Sequence, residues 1–384
     1  MSLRLLTAGE SHGPELVLIL EGMPAGVPVD PEDIDRQLRR RQGGHGRGAR
    51  STKVERDHAE ITSGVALGRT TGAPVAMRIE NLDFANQPTS KPVLTTPRPG
   101  HADLAGATKF GLGDLRVVRE RASARETAAR VAAAALLRPL LGAFGIDLGS
   151  FVTAIGPVGM DTDLAGLAGS ELRQMADRAE SDAVRCPDPE RALAMIAAID
   201  GARLERQTLG GVFVVFATGV PVGLGSYTHW DRRIDGRLAG AICSIPAVKG
   251  VEIGPAFGVS QMAGAGAQDS IVRTETGLER ASNFAGGIEG GVTNGEPVLL
   301  RAAMKPLSSV RARVTSVDLE TGAPADPAYI RSDVCAVPAA AVVGEAMMAC
   351  VLGSAIVDRF GGDRLDAMLA AAAVAGQPNG DWAS

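Results

Sequence analysis

An alanine-rich segment over residues 124–143 is the strongest constraint that this sequence places on its fold. The segment follows Ser123 and Glu126, whose S-x-x-E spacing predicts a capping box at the start of a helix. A second helix is predicted to begin at Asp30, with Pro31 in its first turn. Other helices and strands mix with these two without a regular strand–helix–strand alternation. The pattern therefore favours an α+β fold in layers over a doubly wound parallel sheet.

The remaining elements are predicted from apolar periodicity and from turn residues. The predicted helices cover residues 170–185, 188–199, 233–244, 338–360 and 363–373. The predicted strands cover residues 15–21, 211–217 and 248–253. The glycine-rich stretch 286–291 is predicted to be a flexible loop or a turn in which two backbone segments approach closely.

The chain is expected to form one domain. Its 384 residues, 45% of them apolar, can bury a substantial core, and no linker interrupts them. We assign residues 1–384 to one catalytic domain and expect about the last ten residues to form a flexible tail. The start lacks a secretory signal pattern, and no apolar run reaches the roughly 18 residues that span a bilayer. Four cysteines without metal-ligand spacing indicate reduced thiols, so we expect a cytoplasmic protein without a metal site.

The basic residues of the chain are almost all arginine. There are 34 Arg and 5 Lys, within a formal net charge of -5 that argues against a nucleic-acid binder. A bias in codon composition would explain the excess of arginine. So would bidentate capture of phosphate and carboxylate groups, which suits a planar guanidinium better than an ammonium. The positions of the arginines must decide between these explanations.

Two histidines stand in settings that suit acid–base chemistry. His12 lies in the segment 9–13, where flanking glycines leave room for a ligand near the backbone. An imidazole with an ordinary pKa of about 6.5 exchanges a proton at cellular pH. His101 lies in a rigid Pro/Gly turn over residues 98–103. The structural alternative for that turn is a capped turn in which Asp103 starts a helix.

A cluster of arginines surrounds a glycine-rich loop after the helix that is predicted to begin at Asp30. Arg40 and Arg41 at the end of that helix suit the negative end of its dipole. Arg47 and Arg50 lie beyond it, where that explanation does not apply. A glycine loop lets the backbone approach an anion while arginines neutralise it, and a disordered basic loop is the alternative.

Arginines also flank the start of the alanine-rich helix. Arg121 and Arg125 are expected at a helix start. Because cations there oppose the helix dipole, these two arginines indicate another role, such as bridging a phosphate. The alternative is an internal ion pair between Arg125 and Glu120 or Glu126.

Two segments later in the chain carry further candidates. Asp333 follows Arg331 ahead of the long C-terminal helix, and it is either a salt-bridge partner or a general base. Lys305 is followed closely by the hydroxyls of Ser308 and Ser309, a combination that suits phosphate contacts.

Several common catalytic motifs are absent from the sequence. It contains no G-x-G-x-x-G after a strand, no G-K-[ST] phosphate loop, no G-x-S-x-G and no H-E-x-x-H. An ordinary dinucleotide-binding fold is therefore not expected. The alternatives to be weighed are a flavin-independent sugar-phosphate lyase or isomerase and a non-catalytic anion-binding or RNA-binding module. Net acidity and few aromatic residues (9 Phe, 2 Tyr and 2 Trp) count against RNA binding.

Taken in order, these segments resemble the chorismate synthase family over essentially the whole chain. The resemblance rests on residues 9–14 with 21–24, 39–48, 97–104, 120–128, and 331–335 with 344–346. Each stretch is moderate support by itself, and all of them in the correct order are strong support. The resemblance implies one mixed α/β domain with helices layered between antiparallel sheets, assembled as a homotetramer.

The resemblance also implies a lyase of the shikimate pathway, which serves aromatic amino acid biosynthesis. Such an enzyme converts 5-enolpyruvylshikimate-3-phosphate to chorismate and phosphate by 1,4-anti elimination, and it requires reduced FMN although no net redox change occurs. By resemblance, His12 donates a proton to the departing phosphate, His101 tunes the protonation of the flavin, and Asp333 assists removal of the ring proton. NADPH, associated with Arg41 and Arg47, reduces the flavin in some members, and others rely on an external flavin reductase.

Binding residues are implied position by position. The substrate is expected to contact Ser11, Arg41, Arg47, Arg50, Arg125 and Arg331. The flavin is expected to contact Arg121, Ala122, Ser123, Ala247, Gly290, Lys305, Pro306, Leu307, Ser308, Ser309 and Arg331. Two departures from the family pattern concern flavin contacts: Pro246 replaces an amide side chain, and Ser309 replaces a threonine. Neither departure removes a catalytic position.

Overall fold

A computed structural model of the chain describes residues 3–48, 56–87, 92–274, 277–328 and 332–375. Its helices are α1 (Pro31–Gln42), α2 (Asp103–Phe110), α3 (Leu115–Arg121), α4 (Thr127–Ala143), α5 (Gly169–Glu180), α6 (Pro189–Leu204), α7 (Ile234–Cys243), α8 (Ala256–Val259), α9 (Val337–Phe360) and α10 (Leu365–Ala375). Its longer strands and hairpins are β1 (Arg4–Ala8), β2 (Glu15–Glu21), β3 (Ala59–Ser63), β4 (Val65–Ala66), β5 (Arg69–Thr70), β6 (Val75–Glu80), β7 (Asp147–Ile155), β8 (Val158–Gly159), β9 (Gly211–Thr218), β10 (Val248–Ile253), β11 (Ile271–Thr274), β12 (Gly277–Arg280), β13 (Ile288–Glu289), β14 (Val292–Thr293), β15 (Val298–Met304), β16 (Ser316–Val317) and β17 (Pro324–Ala325).

Two antiparallel sheets enclose the central helices. The first sheet has the strand order β1-β2-β6-β3, and the second has the order β10-β15-β9-β7-β8. Helix α4 packs against β2 of the first sheet and against α9, while α9 packs against β7 and β9 of the second sheet. The layers therefore run from sheet to helices to sheet. This arrangement confirms the predicted α+β fold with helices between antiparallel sheets.

Small residues let α9 pack closely on both sides. A Cβ atom on Gly344 would lie 2.5 Å from Cγ2 of Val215 on β9, too close for any side chain. On the other side, a Cβ atom on Gly353 would lie 3.3 Å from Cδ2 of Leu137 on α4. The small residues that the sequence places in this helix thus bring α9 against both a sheet and a helix.

Helix α9 is also long and apolar enough to cross a membrane. This differs from the expectation that no apolar segment reaches that length. Glu345 divides the apolar residues into two shorter runs, but it is the one charged residue between Val337 and Val357. In the structure, 89% of its most apolar window is buried inside the protein. Such burial is that of a helix at the centre of a folded core.

Glu345 is held in this core by arginines. Its carboxylate accepts two hydrogen bonds from Arg40, at 2.8 and 2.9 Å, and one from Ser150 Oγ at 2.6 Å, and it also pairs with Arg138. Burial opposes ionisation, but the charges of Arg40 and Arg138 outweigh it and hold the pKa of Glu345 well below its ordinary value. The ion pair between Arg40 and Glu345 joins the C-terminal end of α1 to the middle of α9.

The predicted helices and strands are confirmed in position and type, with some ends displaced. The helix predicted over 170–185 ends at Glu180, because the Asp182 side chain accepts hydrogen bonds from the backbone of Val184 and Cys186 and turns the chain. The helix predicted over 188–199 continues to Leu204. The glycine-rich stretch 286–291 includes the turn of a β13–β14 hairpin, which confirms the alternative of a close-approach turn.

The predicted capping box is wrong in its detail. Ser123 Oγ accepts a hydrogen bond from the backbone of Arg125 at 3.3 Å and so does cap the chain. The Glu126 carboxylate accepts instead from Thr7 Oγ1 at 2.7 Å and from Arg130 Nε at 2.9 Å. As a result the first turn, Ala124–Glu126, is a 3-10 turn that leads into α4. The predicted C-terminal tail lies almost entirely in residues 376–384, outside the described residues.

Candidate active site

The loop that carries His12, residues 9–13, is fixed by glycine and by backbone contacts. Gly9 has φ +100°, and a Cβ atom there would lie 2.3 Å from the carbonyl oxygen of Glu15. The backbone of Ser11 donates to the carbonyl of Glu120 in α3 at 3.2 Å. The Ser11 hydroxyl lies 2.8 Å from Nδ1 of His12. A glycine with positive φ is therefore required for the loop to turn where it presents the serine and the histidine.

Asn81 ties this loop to the start of α4. Its side-chain nitrogen donates to the carbonyls of Glu10 and Gly13, at 3.1 and 2.8 Å. Its side-chain oxygen accepts from Nε of Arg125 at 2.9 Å. Arg125 and the His12 loop, which are distant in sequence, are thereby held in one unit.

Arg125 and Arg41 meet at a buried carboxylate, Asp57. Nη1 of Arg125 lies 2.6 Å from both oxygens of Asp57, and Nη2 of Arg41 lies 3.1 Å from one of them. The ion pair that the sequence left open for Arg125 therefore forms with Asp57, and not with Glu120 or Glu126. Sequence reasoning missed Asp57, because an isolated aspartate after a loop carries no pattern. The excess of arginine was the one signal that such partners exist.

Arg121 is placed differently from the expectation. It is the last residue of α3, where a cation suits the helix dipole, so the argument that it opposes a dipole is wrong. Its guanidinium donates to the carbonyls of Thr7 at 3.0 Å and Gly9 at 3.3 Å. Ala122 and Ser123 follow it in the junction between α3 and the 3-10 turn. Of these three predicted flavin contacts, Arg121 thus touches the His12 loop at the carbonyl of Gly9.

The turn over residues 98–103 holds His101 against a buried carboxylate. Nδ1 of His101 lies 2.5 Å from Oδ1 of Asp103, which is 0% exposed. Nε of Arg98 donates to Oδ2 of Asp103 at 2.9 Å. Burial alone would raise the pKa of Asp103, but the hydrogen bonds from His101 and Arg98 hold it well below its ordinary value. Asp103 begins α2, so the structural alternative for this turn is confirmed, and the histidine contact exists beside it.

The 305–309 loop lies against the His101 turn. Nζ of Lys305 donates to the carbonyl of Gly100 at 3.0 Å, and Nη1 of Arg98 donates to Oγ of Ser309 at 2.6 Å. The backbone of Lys305 donates to the carbonyl of Ala247 at 2.9 Å. The structure therefore brings together three of the predicted parts of the site: the 305–309 loop, Ala247 and the turn that carries His101.

Asp333 lies in a cleft of about 390 Å³. It forms an ion pair with Arg47, and one of its oxygens accepts from the backbone of Gly48 at 2.7 Å. The glycine-rich loop is therefore joined to the segment before α9, and Asp333 forms a salt bridge whose presence leaves its role toward the substrate as a proposal. Ser309 and Ser332 line the same cleft, and the Ser332 hydroxyl donates to the Ser309 carbonyl at 2.5 Å.

Helix α3 connects the two histidine segments. At its C-terminal end, the carbonyl of Glu120 accepts from the His12 loop. One residue earlier, Arg119 Nη2 donates to Asp103 Oδ2 at 3.3 Å, beneath His101. Arg119 is 5% exposed, and burial lowers its pKa. Sequence reasoning missed Arg119, because nothing in its local pattern separates it from the other arginines of α3.

Among the described residues, one predicted site residue, Gly290, is not brought into these contacts. Gly290 lies in the turn of the β13–β14 hairpin, whose hydrogen bonds and bridges run to Ile234 and Gly225. Arg50 and Arg331 lie outside the described residues.

The chain is similar to known proteins over nearly its whole length. Residues 3–357 match the family model described as chorismate synthase. The chain is 54% identical over 369 residues to the chorismate synthase of Rubrobacter xylanophilus, covering 94% of this chain and 93% of that protein. It is 51% identical over 378 residues to that of Desulforudis audaxviator, covering 96% and 95%. A crystal structure of chorismate synthase is 41% identical and superposes with a TM-score of 0.81 over 98% of each chain. This chain therefore belongs to the chorismate synthase family.

Proposed function

We propose that this protein carries out the reaction of its family, the 1,4-anti elimination that converts 5-enolpyruvylshikimate-3-phosphate to chorismate and phosphate, with reduced FMN as its cofactor. In this reaction a ring C–H bond and the C–O bond to phosphate break, and a new double bond forms. The observation that carries the proposal is one hydrogen-bonded path. It runs from the His12 loop through α3 to Asp103 and His101, and from Arg98 to the 305–309 loop.

His12 is proposed to donate a proton to the departing phosphate. A phosphate that leaves as a protonated species departs more easily, and a positioned imidazole supplies that proton near neutral pH. The contact between Ser11 Oγ and Nδ1 of His12 holds the orientation of the ring.

Arginines are proposed to bind the phosphate and the carboxylates of the substrate. Arg41 and Arg125 converge on Asp57, which fixes their guanidiniums, and Arg47 lies in the Asp333 cleft. Several anionic groups leave water together when the substrate binds, and they need charge-assisted donors in their place. Arg50 and Arg331 are proposed as further substrate contacts from the family resemblance. Where NADPH serves as reductant, Arg41 and Arg47 are its proposed contacts.

Asp333 is proposed to assist removal of the ring proton. Its carboxylate is held by Arg47 and by the backbone of Gly48, so its position is set before the substrate arrives. A carboxylate can accept a proton, which is the role proposed for this side chain in the elimination.

The residues around His101 fit a flavin mononucleotide. Nε and Nη1 of Arg119 are buried and donate to no residue that the structure describes, which leaves donors for an acceptor-rich group. The Lys305 ammonium and the Ser309 hydroxyl add further donors beside the same turn. When bound, reduced FMN supplies the electron-rich chemistry of the elimination. His101 is proposed to lie beside it and to hold a proton there.

The proposed flavin contacts follow the family pattern. They are Arg121, Ala122, Ser123, Ala247, Gly290, Lys305, Pro306, Leu307, Ser308, Ser309 and Arg331. Pro246 and Ser309 are the positions at which this chain departs from that pattern.

We also propose a cytoplasmic homotetramer of one-domain chains. The hairpin β11–β12 supports association, because Ile271 and Leu278 on it are 62% and 64% exposed. Exposed apolar side chains on one hairpin are suited to contact with a neighbouring subunit. The flavin is reduced either by NADPH on this protein or by an external flavin reductase.

An anaerobic assay tests the function. The pure protein is mixed with reduced FMN and 5-enolpyruvylshikimate-3-phosphate, and chorismate is followed; product is expected with reduced FMN and none without flavin. Absence of product with reduced flavin would overturn the proposed reaction, and equal product without flavin would overturn the cofactor. Adding NADPH to the protein with oxidised FMN, also without oxygen, shows whether the protein reduces its own flavin.

A further inference from the structure

Asp103 has a role beyond starting α2. We infer that Asp103 is a positioning residue that keeps His101 in the tautomer with its proton on Nδ1. The inference rests on the proposed role of His101, and it concerns a residue that acts through the histidine. In this tautomer Nε2 of the neutral ring is a hydrogen-bond acceptor, and it can take up a proton and return it.

The geometry between the two side chains sets the direction of the hydrogen bond. Nδ1 of His101 lies 2.5 Å from Oδ1 of Asp103, a separation that requires a proton between the two atoms. An ionised carboxylate has no proton to give, so the proton belongs to Nδ1. Among the described residues, Nε2 of His101 has no hydrogen-bond partner, and the side chain is 17% exposed.

Two arginines keep the carboxylate of Asp103 ionised. Arg98 donates to it through Nε at 2.9 Å, through Nη2 at 3.1 Å and through its backbone nitrogen at 3.1 Å. Arg119 donates through Nη2 at 3.3 Å. A fully buried carboxylate that accepts this many hydrogen bonds stays ionised at neutral pH. The pKa of Asp103 accordingly lies well below its ordinary value.

One contact competes with this assignment and is resolved by the same geometry. Nη2 of Arg98 lies 3.0 Å from Nδ1 of His101, a distance at which Nδ1 would have to accept. Nδ1 cannot accept from Arg98 and donate to Asp103 at once. The guanidinium already donates to Asp103, and through Nη1 to Ser309, so it has partners without the ring. The shorter contact to the carboxylate therefore decides the tautomer.

A second His–Asp pair in the chain supplies a matched control. Nδ1 of His229 lies 2.5 Å from Oδ1 of Asp231, with the same two-residue spacing as His101 and Asp103. Both members of this pair are more than half exposed, at 59% and 56%. Water competes for a hydrogen bond at such a site, so the control pair has the sequence spacing without the burial.

Nitrogen NMR on the full-length protein tests the tautomer directly. In protein labelled with ¹⁵N-histidine, long-range proton–nitrogen correlations distinguish Nδ1–H from Nε2–H, and His101→Gln assigns the His101 signals. We expect Nδ1–H for His101 in the wild type. We expect Asp103→Asn to shift His101 toward Nε2–H, whereas Asp231→Asn leaves the His101 signals unchanged. Nε2–H in the wild-type protein would overturn the inference, and this result needs no variant to fold.

Kinetics separate the positioning role from a structural one. With reduced FMN, Asp103→Asn is expected to lower kcat by about 10- to 100-fold, the range expected when a reacting group loses its orientation, with KM changed less than about threefold. Asp231→Asn is expected to keep wild-type kcat. A drop in kcat with the His101 tautomer unchanged would refute the positioning role and leave the proposed function intact. Full activity of His101→Gln would refute the proposed role of His101 instead, whatever the tautomer is.

Discussion

Arg125 and Asp57 form a buried ion pair in which Nη1 of the arginine lies 2.6 Å from both carboxylate oxygens. Their side chains are 4% and 1% exposed. Arg41 donates to the same carboxylate at 3.1 Å. Asp57 is thus the common anchor of two arginines that we propose bind the substrate, and it links α1 to the start of α4.

Replacing Asp57 by asparagine should weaken both folding and substrate binding. The change leaves two buried guanidiniums without their shared carboxylate, and breaking a buried pair of this kind costs about 3–5 kcal/mol of the free energy of unfolding. KM for 5-enolpyruvylshikimate-3-phosphate should rise, because Arg41 and Arg125 lose their fixed positions. Urea unfolding and steady-state kinetics measure the two effects. Glu60→Gln is the control, since Glu60 pairs with Arg78 at 2.7 Å on the exposed surface and its loss should leave the urea midpoint unchanged. An unchanged midpoint in Asp57→Asn would contradict the anchoring role.

His12→Ala should lose turnover while keeping substrate affinity. Removing a general acid costs about 10²- to 10⁴-fold in rate, whereas the arginines that hold the substrate are untouched. Turnover is measured with reduced FMN, and the substrate Kd is measured by calorimetry without flavin. His229→Ala serves as control, because His229 is 59% exposed and pairs with Asp231 on the surface. A near-normal kcat in His12→Ala would show that another group protonates the phosphate.

Asp333→Ala should also lose turnover, with binding largely kept. The substitution removes the carboxylate that is proposed to assist proton removal and that pairs with Arg47. Comparison with Asp333→Asn separates the two parts, since asparagine keeps an acceptor for the backbone of Gly48 without the charge. Both variants should show a kcat lowered at least about 10²-fold. If Asp333→Asn retained the wild-type rate, Asp333 would serve to position Arg47 and would not act on the proton.

Cysteine reactivity should follow burial. Cys243 is exposed, whereas burial raises the pKa of Cys335 to about 11 and that of Cys350 to about 12, and it also raises the pKa of Cys186. The thiolate is the reactive form, so at pH 8 the folded protein should show one fast-reacting thiol per chain with an aromatic disulfide reagent. All four should react in denaturant. Loss of the fast phase in Cys243→Ser identifies that thiol, and a fast phase that persists in this variant would contradict the assignment.

The sequence predicts features that depend on residues close together in the chain, and it misses contacts between residues that are far apart in the chain. The elements around Asp30, Ser123 and Asp188 depend on residues a few positions apart, and the structure confirms that helices begin at each of these places. The sequence places Arg121 at the wrong end of a helix, because the short helix α3, which ends at Arg121, has little apolar periodicity. Without α3, Arg121 is expected to oppose a helix dipole, whereas in the structure it lies at the end of a helix that favours a cation.

Partners that are distant in the chain lay beyond local reasoning. The pairs Arg125 with Asp57 and Arg47 with Asp333 span 68 and 286 positions. Nothing in the spacing of either residue indicates which of many carboxylates an arginine meets, because the fold alone decides that. The arginine excess predicted that anions or carboxylates would be bound. It did not distinguish arginines that support the core, such as Arg40, from those that line the Asp333 cleft.

Glu345 should make stability depend on acid pH. Its pKa in the folded protein lies below the value of about 4.3 that an unfolded glutamate has. The sign follows: a depressed native pKa contributes stability that is complete above about pH 4.3 and is lost as pH falls toward the native pKa. Urea midpoints between pH 3 and 7, followed by circular dichroism, should therefore fall at the acid end in the wild type. In Glu345→Gln this part of the slope should be missing, and the midpoint at pH 7 should be lower because Arg40 and Arg138 lose a buried partner. Glu60→Gln should keep the wild-type slope, since its carboxylate is exposed. An identical acid slope in wild type and Glu345→Gln would mean that other carboxylates carry the pH dependence.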